Sequence, residues 1–393
     1  MNKSVFIKVG IVASLVLLNS AILANEDKPI VLKTMGSLFF GGTVKQLPNG
    51  ETFHGDHGYA QFYIPQKAHN YPLIMWHGIG QSGRSYESTP DGREGFQAIM
   101  PRRNWAIYII DQPRRGRAGR TLSTEIIQAV PTTMRESSAW NAFRNGIWNL
   151  PQKPYYYADT QFPHDPASID EFFRQQTPDT GAEPRNLEYY KSMGNAMGEL
   201  LKQTGSAILI THSNSGKYGW FSGIKNPKSI KAIVAFEPGH IVLPENEKVI
   251  DPPAGTEAAG KNMQPIRVKE EEFKKLTGMP ILIIYGDHIA TEPSTIFNVN
   301  IWRLSKIRAG QFVEAINKRG GDAKVISLPE LGLKGNTHAP FADKNNLQVA
   351  DIVEKFLQEK KLNGEDLGYA GPKKKNIQNY TIPIVEEPVT ESK

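Results

Sequence analysis

The sequence predicts an α/β fold: a mostly parallel, doubly wound sheet with helices on both faces and a helical or loop lid insertion. Three observations point there. Six apolar runs are nearly continuous in Val, Ile, Leu and Ala, as strands buried on both faces are. Helical patterns lie between them, and such alternation defines this layer architecture. One connection, the 95 residues from 112 to 206, is far longer than a crossover needs.

The elements follow in order. Lys3, an apolar stretch ending in Ala21-Ile22-Leu23-Ala24, and the polar Asn25-Glu26-Asp27 read as a cleaved secretory signal over residues 1–24. No later stretch approaches 18 apolar residues, so no stable membrane anchor is expected. Strands are expected at 37–44 and 59–64, joined across the turn-rich Asn49-Gly50. The six buried strands are 73–76, 106–110, 207–210, 232–236, 281–285 and 324–328. Helices are expected at 95–100, 187–203, 217–224, 301–319 and 346–360. Residues 25–362 form one domain on this reading. Its insertion, about 116–185, opens a region with 11 aromatics between residues 140 and 190. Such enrichment suits a lid over a pocket or a satellite core, and both can hold. Residues 238–278 read as a loop with a short helix, and 363–393 as a Gly/Pro/Lys/Glu-rich tail, strapped or mobile.

Composition narrows the function. The chain of 393 residues has 46 basic and 40 acidic side chains, a mild net charge of +6. A nucleic-acid binder carries a more focused bias, so no nucleic-acid partner is expected. There is no cysteine, which excludes disulfides, thiolate nucleophiles, zinc–thiolate sites and a lipid-anchored N-terminus.

The strongest constellation is Thr211-His212-Ser213-Asn214-Ser215-Gly216, between an apolar strand and a helical stretch. A sharp strand-to-helix turn would expose the Ser213 hydroxyl at a helix N-terminus. Thr211 and Ser215 stand where glycines are usual, and Lys217 is too large two places after Ser215, so Ser213 is the better nucleophile. A serine needs a general base. Of nine histidines, His338 follows the last strand and precedes the final amphipathic helix, at the same sheet edge as Ser213. His69 is expected exposed in a loop and His164 in the insertion. His54, Asp56 and His57 read as surface rather than a metal site, and no metal is expected. The acid that orients the imidazole is Glu237 or Asp287, each ending an apolar strand, and the residues alone leave the two near even. Asn214 and Ile79 are the expected oxyanion N–H donors, with Gly80 the alternative to Ile79.

Two rival motifs fail. Gly78-Ile79-Gly80-Gln81-Ser82-Gly83 has dinucleotide-loop spacing, but Pro90, Asp91 and Gly92 break the helix that should follow. Gly255 to Lys261 spaces like a phosphate loop, but Asn262 replaces the hydroxyl residue that would hold magnesium. No cofactor is called for.

These residues resemble the α/β-hydrolase fold over roughly 30–362. The stretch Thr89 to Gly95 and the run Asp111-Gln112-Pro113-Arg114-Arg115-Gly116-Arg117 resemble a branch of secreted bacterial serine esterases, with Arg114 where that pattern has glycine. The resemblance implies a triad glutamate after the sixth strand, hence Glu237 over Asp287. It also implies structural roles for Asp91, Arg93 and Asp111. The implied activity is hydrolysis of carboxylic esters through a Ser-His-Glu triad; the aromatic insertion points to a small apolar or aromatic ester, and the leader to a secreted or periplasmic enzyme. An amidase or peptidase with the same triad, or a catalytically silent binding protein, would share the fold. A homodimer is compatible with the tail and exposed strands.

Overall fold

The computed structural model describes residues 28–119, 131–132, 134–176, 181–364, 368–373 and 384–386. The expected signal, 1–24, lies outside them. Nine strands form the main sheet: β1 (Leu32–Gln46), β2 (Thr52–Pro65), β3 (Leu73–Trp76), β4 (Ile107–Asp111), β5 (Ala207–His212), β6 (Ile230–Phe236), β7 (Ile281–Tyr285), β8 (Ala323–Ser327) and β9 (Ile384–Glu386). Their order is β8-β7-β6-β5-β3-β4-β2-β1-β9. The run from β4 to β8 is parallel, and β2 is antiparallel to both β1 and β4.

The central parallel strands are short and closed to water. Every residue of β3, β4, β5 and β7 is buried. Such strands need helices on both faces. The helices of seven or more residues are α1 (Phe96–Arg102), α2 (Glu136–Ala142), α3 (Pro166–Arg174), α4 (Leu187–Thr204), α5 (Ser215–Lys225), α6 (Phe297–Asn317) and α7 (Asn346–Glu359). Two apolar clusters result, one on each face: Leu209, Phe221 and Phe312 belong to one, Ile210, Phe236 and Val353 to the other. Among the described residues, no helix is long and apolar enough to cross a membrane.

The opening strands run well past the expected 37–44 and 59–64. They pair from Leu32↔Pro65 to Gln46↔Thr52, and backbone pairing carries the ladder through polar residues that the apolar pattern omits. The tail is strapped where it is described. Residues 384–386 pair with β1, and Tyr369 bonds to Tyr108 across their hydroxyls at 2.7 Å.

The insertion between β4 and β5 carries α2, α3 and a two-stranded ribbon, Gly146–Ile147 with Tyr155–Tyr156. Its aromatics pack on one another. Trp140 meets Tyr156 at 4.9 Å, and Phe162 meets Phe172 at 5.2 Å. The enrichment is therefore spent largely on a satellite core continuous with the main one. His69 is buried rather than exposed: its ring packs 4.4 Å from Trp105, and Nε2 bonds the Arg103 carbonyl at 3.1 Å.

Candidate active site

Ser213 directly follows β5 with φ at +54°, a conformation costly for a side chain with a Cβ. The surroundings impose it. Ser213 N–H donates to Phe236 O (2.9 Å), and its carbonyl accepts from Gly216 N (3.1 Å) and Gly239 N (3.0 Å). The turn is tight because α5 starts directly against neighbouring chain. A Cβ on Gly216 would lie 2.5 Å from the Pro238 side chain, and one on Gly219 would lie 2.8 Å from the Thr211 methyl. Thr211 thus fits in place of glycine because Gly219 leaves room for it. The Ser215 hydroxyl is committed elsewhere: it donates toward Trp76 O and His212 O and accepts from His212 N, each at 2.9 Å.

Glu237 ends β6, also at positive φ (+43°), with its side chain fully buried. His338 Nδ1–H donates to Glu237 Oε2 at 2.5 Å. Arg144, from the insertion, grips both oxygens: Nη1 to Oε2 at 2.8 Å and Nη2 to Oε1 at 2.5 Å. Gly286 N–H adds a bond to Oε1 at 2.6 Å. Burial opposes ionisation of Glu237. The Arg144 and His338 charges outweigh it and hold the carboxyl down to about 2. Burial pushes His338 below the ordinary imidazole value against the pull of Glu237, so it is neutral at neutral pH and can accept a proton. Among the described residues, neither Ser213 Oγ nor His338 Nε2 is committed to another hydrogen bond. The two are not bonded to each other here, a looseness common before substrate binds.

Asp287 lies close by but does not hold His338. Its Oδ2 accepts from Gly335 N (2.8 Å) and its Oδ1 from His288 N (2.7 Å). It braces the loop that carries the histidine. Asp343 does the same from the other side, accepting from Thr337 N (2.7 Å), Thr337 Oγ1 (2.8 Å) and Asn336 Nδ2 (3.0 Å). Burial raises Asp343 to about 7.

The expected oxyanion donors lie on two loops, Ile79 after β3 and Asn214 after β5. Asn214 caps α5, and among the described residues its N–H and that of Ile79 have no acceptor. His77 orients the Ile79 loop. Its Nε2 accepts Gln112 N–H at 3.3 Å, so Nδ1 carries the proton and donates to Gly78 O at 2.8 Å. In a trans peptide the Gly78 carbonyl and the Ile79 N–H point in opposite directions, so fixing one aims the other. Gly80, the alternative donor, is at φ +67°. In the glycine-spaced loop Gly83 N–H donates to Asp111 Oδ1 (2.6 Å), which ties the loop to the end of β4. Asp91 pairs with Arg93 at 2.7 Å, and Arg93 reaches the Asp343 and Lys344 carbonyls, each at 3.3 Å.

Three neighbours carry no sequence signal of their own. Arg144 is one of several cations in the aromatic insertion, with no motif around it. His212 donates from Nε2 to His338 O (2.9 Å), and burial keeps it neutral. Trp302 lies tilted 3.9 Å from the His338 ring and donates to Ala142 O at 2.7 Å. Distance from the motif in sequence hides Arg144 and Trp302; His212 stands inside it, next to Ser213, but nothing local shows that its ring reaches His338.

A buried serine turn, a histidine–glutamate pair and two unengaged N–H groups meet at the C-terminal edge of this sheet, where hydrolases of the α/β type keep their site. The comparisons agree. A solved structure described as a novel bacterial esterase shares 30% identity and superposes with a TM-score of 0.65, covering 85% of this chain and 98% of its own. A fungal protein named "probable secreted lipase phiG" (Fungal sp., strain ATCC 74256) is 28% identical over 339 residues, 76% of this chain and 85% of that one. No protein-family model matches. The chain belongs to the α/β-hydrolase superfamily, and its relatives of known description are hydrolases.

Proposed function

We propose that the chain is a secreted serine esterase acting on carboxylic esters through Ser213, His338 and Glu237. The observation that carries this is the fully buried His338–Glu237 bond of 2.5 Å, at the sheet edge where Ser213 stands in its left-handed turn. Ser213 Oγ attacks the ester carbonyl carbon as its proton passes to His338 Nε2. The oxyanion faces the N–H groups of Ile79 and Asn214. Collapse breaks the bond to the alcohol oxygen, which leaves with the proton from His338. Water then gives a proton to His338, attacks the acyl carbon and displaces Ser213, which recovers that proton. Glu237 holds the imidazole tautomer and stabilises the imidazolium.

Phe143, whose ring meets His338 edge-on at 5.2 Å, and Trp302 support an apolar or aromatic ester. The insertion is a lid on this reading, since it supplies Phe143 and Arg144. Export is supported by the leader-like residues 1–24 and by the name of the fungal relative. The test is a fluorophosphonate probe followed by peptide mapping of the mature protein. One adduct, on Ser213, is expected. No adduct on folded protein would overturn the proposal.

A further inference from the structure

We infer that Glu183 is a positioning residue whose single buried carboxylate holds both oxyanion donors in register. Glu183 comes from the segment before α4, and its side chain is 6% exposed. Oε1 accepts from Gln112 Nε2 (2.6 Å) and Arg115 Nη2 (2.7 Å). Oε2 accepts from Asn214 Nδ2 (2.8 Å) and the Tyr218 hydroxyl. Four donors fill the lone-pair sites of a carboxylate. Burial would neutralise the group, but Arg115 and Lys217 with the Tyr218 and Asn214 bonds hold it ionised, down to about 2.

One arm reaches the first donor directly. Asn214 supplies a main-chain N–H to the oxyanion, and its side chain is tied to Glu183 on one end and to Lys217 on the other. The second arm runs through Gln112. Its side chain is gripped by Glu183 and by Trp76 Nε1 (2.9 Å), and its N–H bonds His77, which in turn fixes the Gly78 carbonyl and aims Ile79. The two donors follow different strands, β5 and β3. A donor pair must be held within about 0.5 Å of the productive geometry, and a shared ionised anchor does this better than two independent loops. The inference rests on the esterase reading.

The test is Glu183→Gln in the mature full chain, with p-nitrophenyl acetate as substrate and a trifluoromethyl ketone as the tetrahedral mimic. Glutamine keeps the size but turns an NH2 toward groups that are themselves donors. We expect kcat to fall about 100-fold, as for loss of one oxyanion donor, with KM changed less than about threefold. The ketone Ki should rise by the same factor as kcat/KM falls. A lower melting temperature with unchanged kcat and Ki would make Glu183 structural only and overturn the role. If Glu183→Gln does not fold, Asn214→Ala cuts one tether and keeps the main-chain N–H; about a tenfold loss of kcat with a parallel rise in Ki is expected. Unchanged values there would equally overturn it. Wild-type protein that neither takes the fluorophosphonate nor turns over ester would overturn the esterase reading itself. Active wild type with an equally active Glu183→Gln would remove the Glu183 role alone.

Discussion

Replacing Arg144 with methionine should both destabilise the protein and move its acid limb upward. Arg144 makes two bonds to the Glu237 carboxylate and one, from Nε, to Asp287 O at 2.8 Å. Methionine fills similar volume but leaves a fully buried carboxylate with only His338 and Gly286 N–H as partners. Removing one partner of a buried pair costs about 3–5 kcal/mol. For a chain of this size that is roughly 5–10 °C in melting temperature. The pH effect has a definite sign. Arg144 lowers the pKa of Glu237 and of His338 alike, so its loss raises both. On the proposed mechanism turnover needs Glu237 ionised and His338 neutral, so the acid limb of kcat/KM moves to higher pH. The stability deficit is present at neutral pH. It narrows in acid, because the variant protonates Glu237 first and the wild type loses the pair only as pH falls toward about 2. Calorimetry and a pH–rate profile on a chromogenic ester test both parts. Unchanged melting and an unmoved acid limb would refute the claim that Arg144 controls the triad acid.

Two further outcomes follow from the same geometry. Ser213→Gly should abolish turnover while raising the melting temperature by about 1–3 °C, because it removes a side chain from a backbone at φ +54°; a lower melting temperature would mean the turn is not strained. Glu237→Gln should cost on the order of 10⁴ in kcat, the scale for a triad acid that fixes the tautomer. Asp287→Asn should cost far less, since Asp287 bonds loop N–H groups rather than His338; equal losses would break that division.

The fold class was readable because parallel strands closed on both faces must be continuously apolar, and helices must alternate with them. The site positions were readable for a related reason. Ser213, Glu237 and His338 follow β5, β6 and β8, and parallel strands deliver their C-terminal ends to one edge. Arg144 and Glu183 were not readable. They lie in a 95-residue connection with no periodicity tied to the sheet, and nothing local says that one faces Glu237 and the other Asn214. His69 misled for the opposite reason: its loop is polar in sequence, yet it crosses the Trp105 indole.

The sequence by itself determined the order of the candidate groups along the sheet: a serine turn and two acids just after apolar strands, and a histidine in the loop after the last one. Only the tertiary structure separates the surroundings of the two acids: His338 bonds Glu237 and not Asp287. Glu237 and Asp287 end adjacent parallel strands and differ little in local pattern. Arg144, Gly286 N–H and His338 converge on Glu237, while the Gly335 and His288 N–H groups occupy Asp287. A buried carboxylate stays charged only where cations and donors from distant parts of the chain meet it, and that convergence is a property of three-dimensional packing.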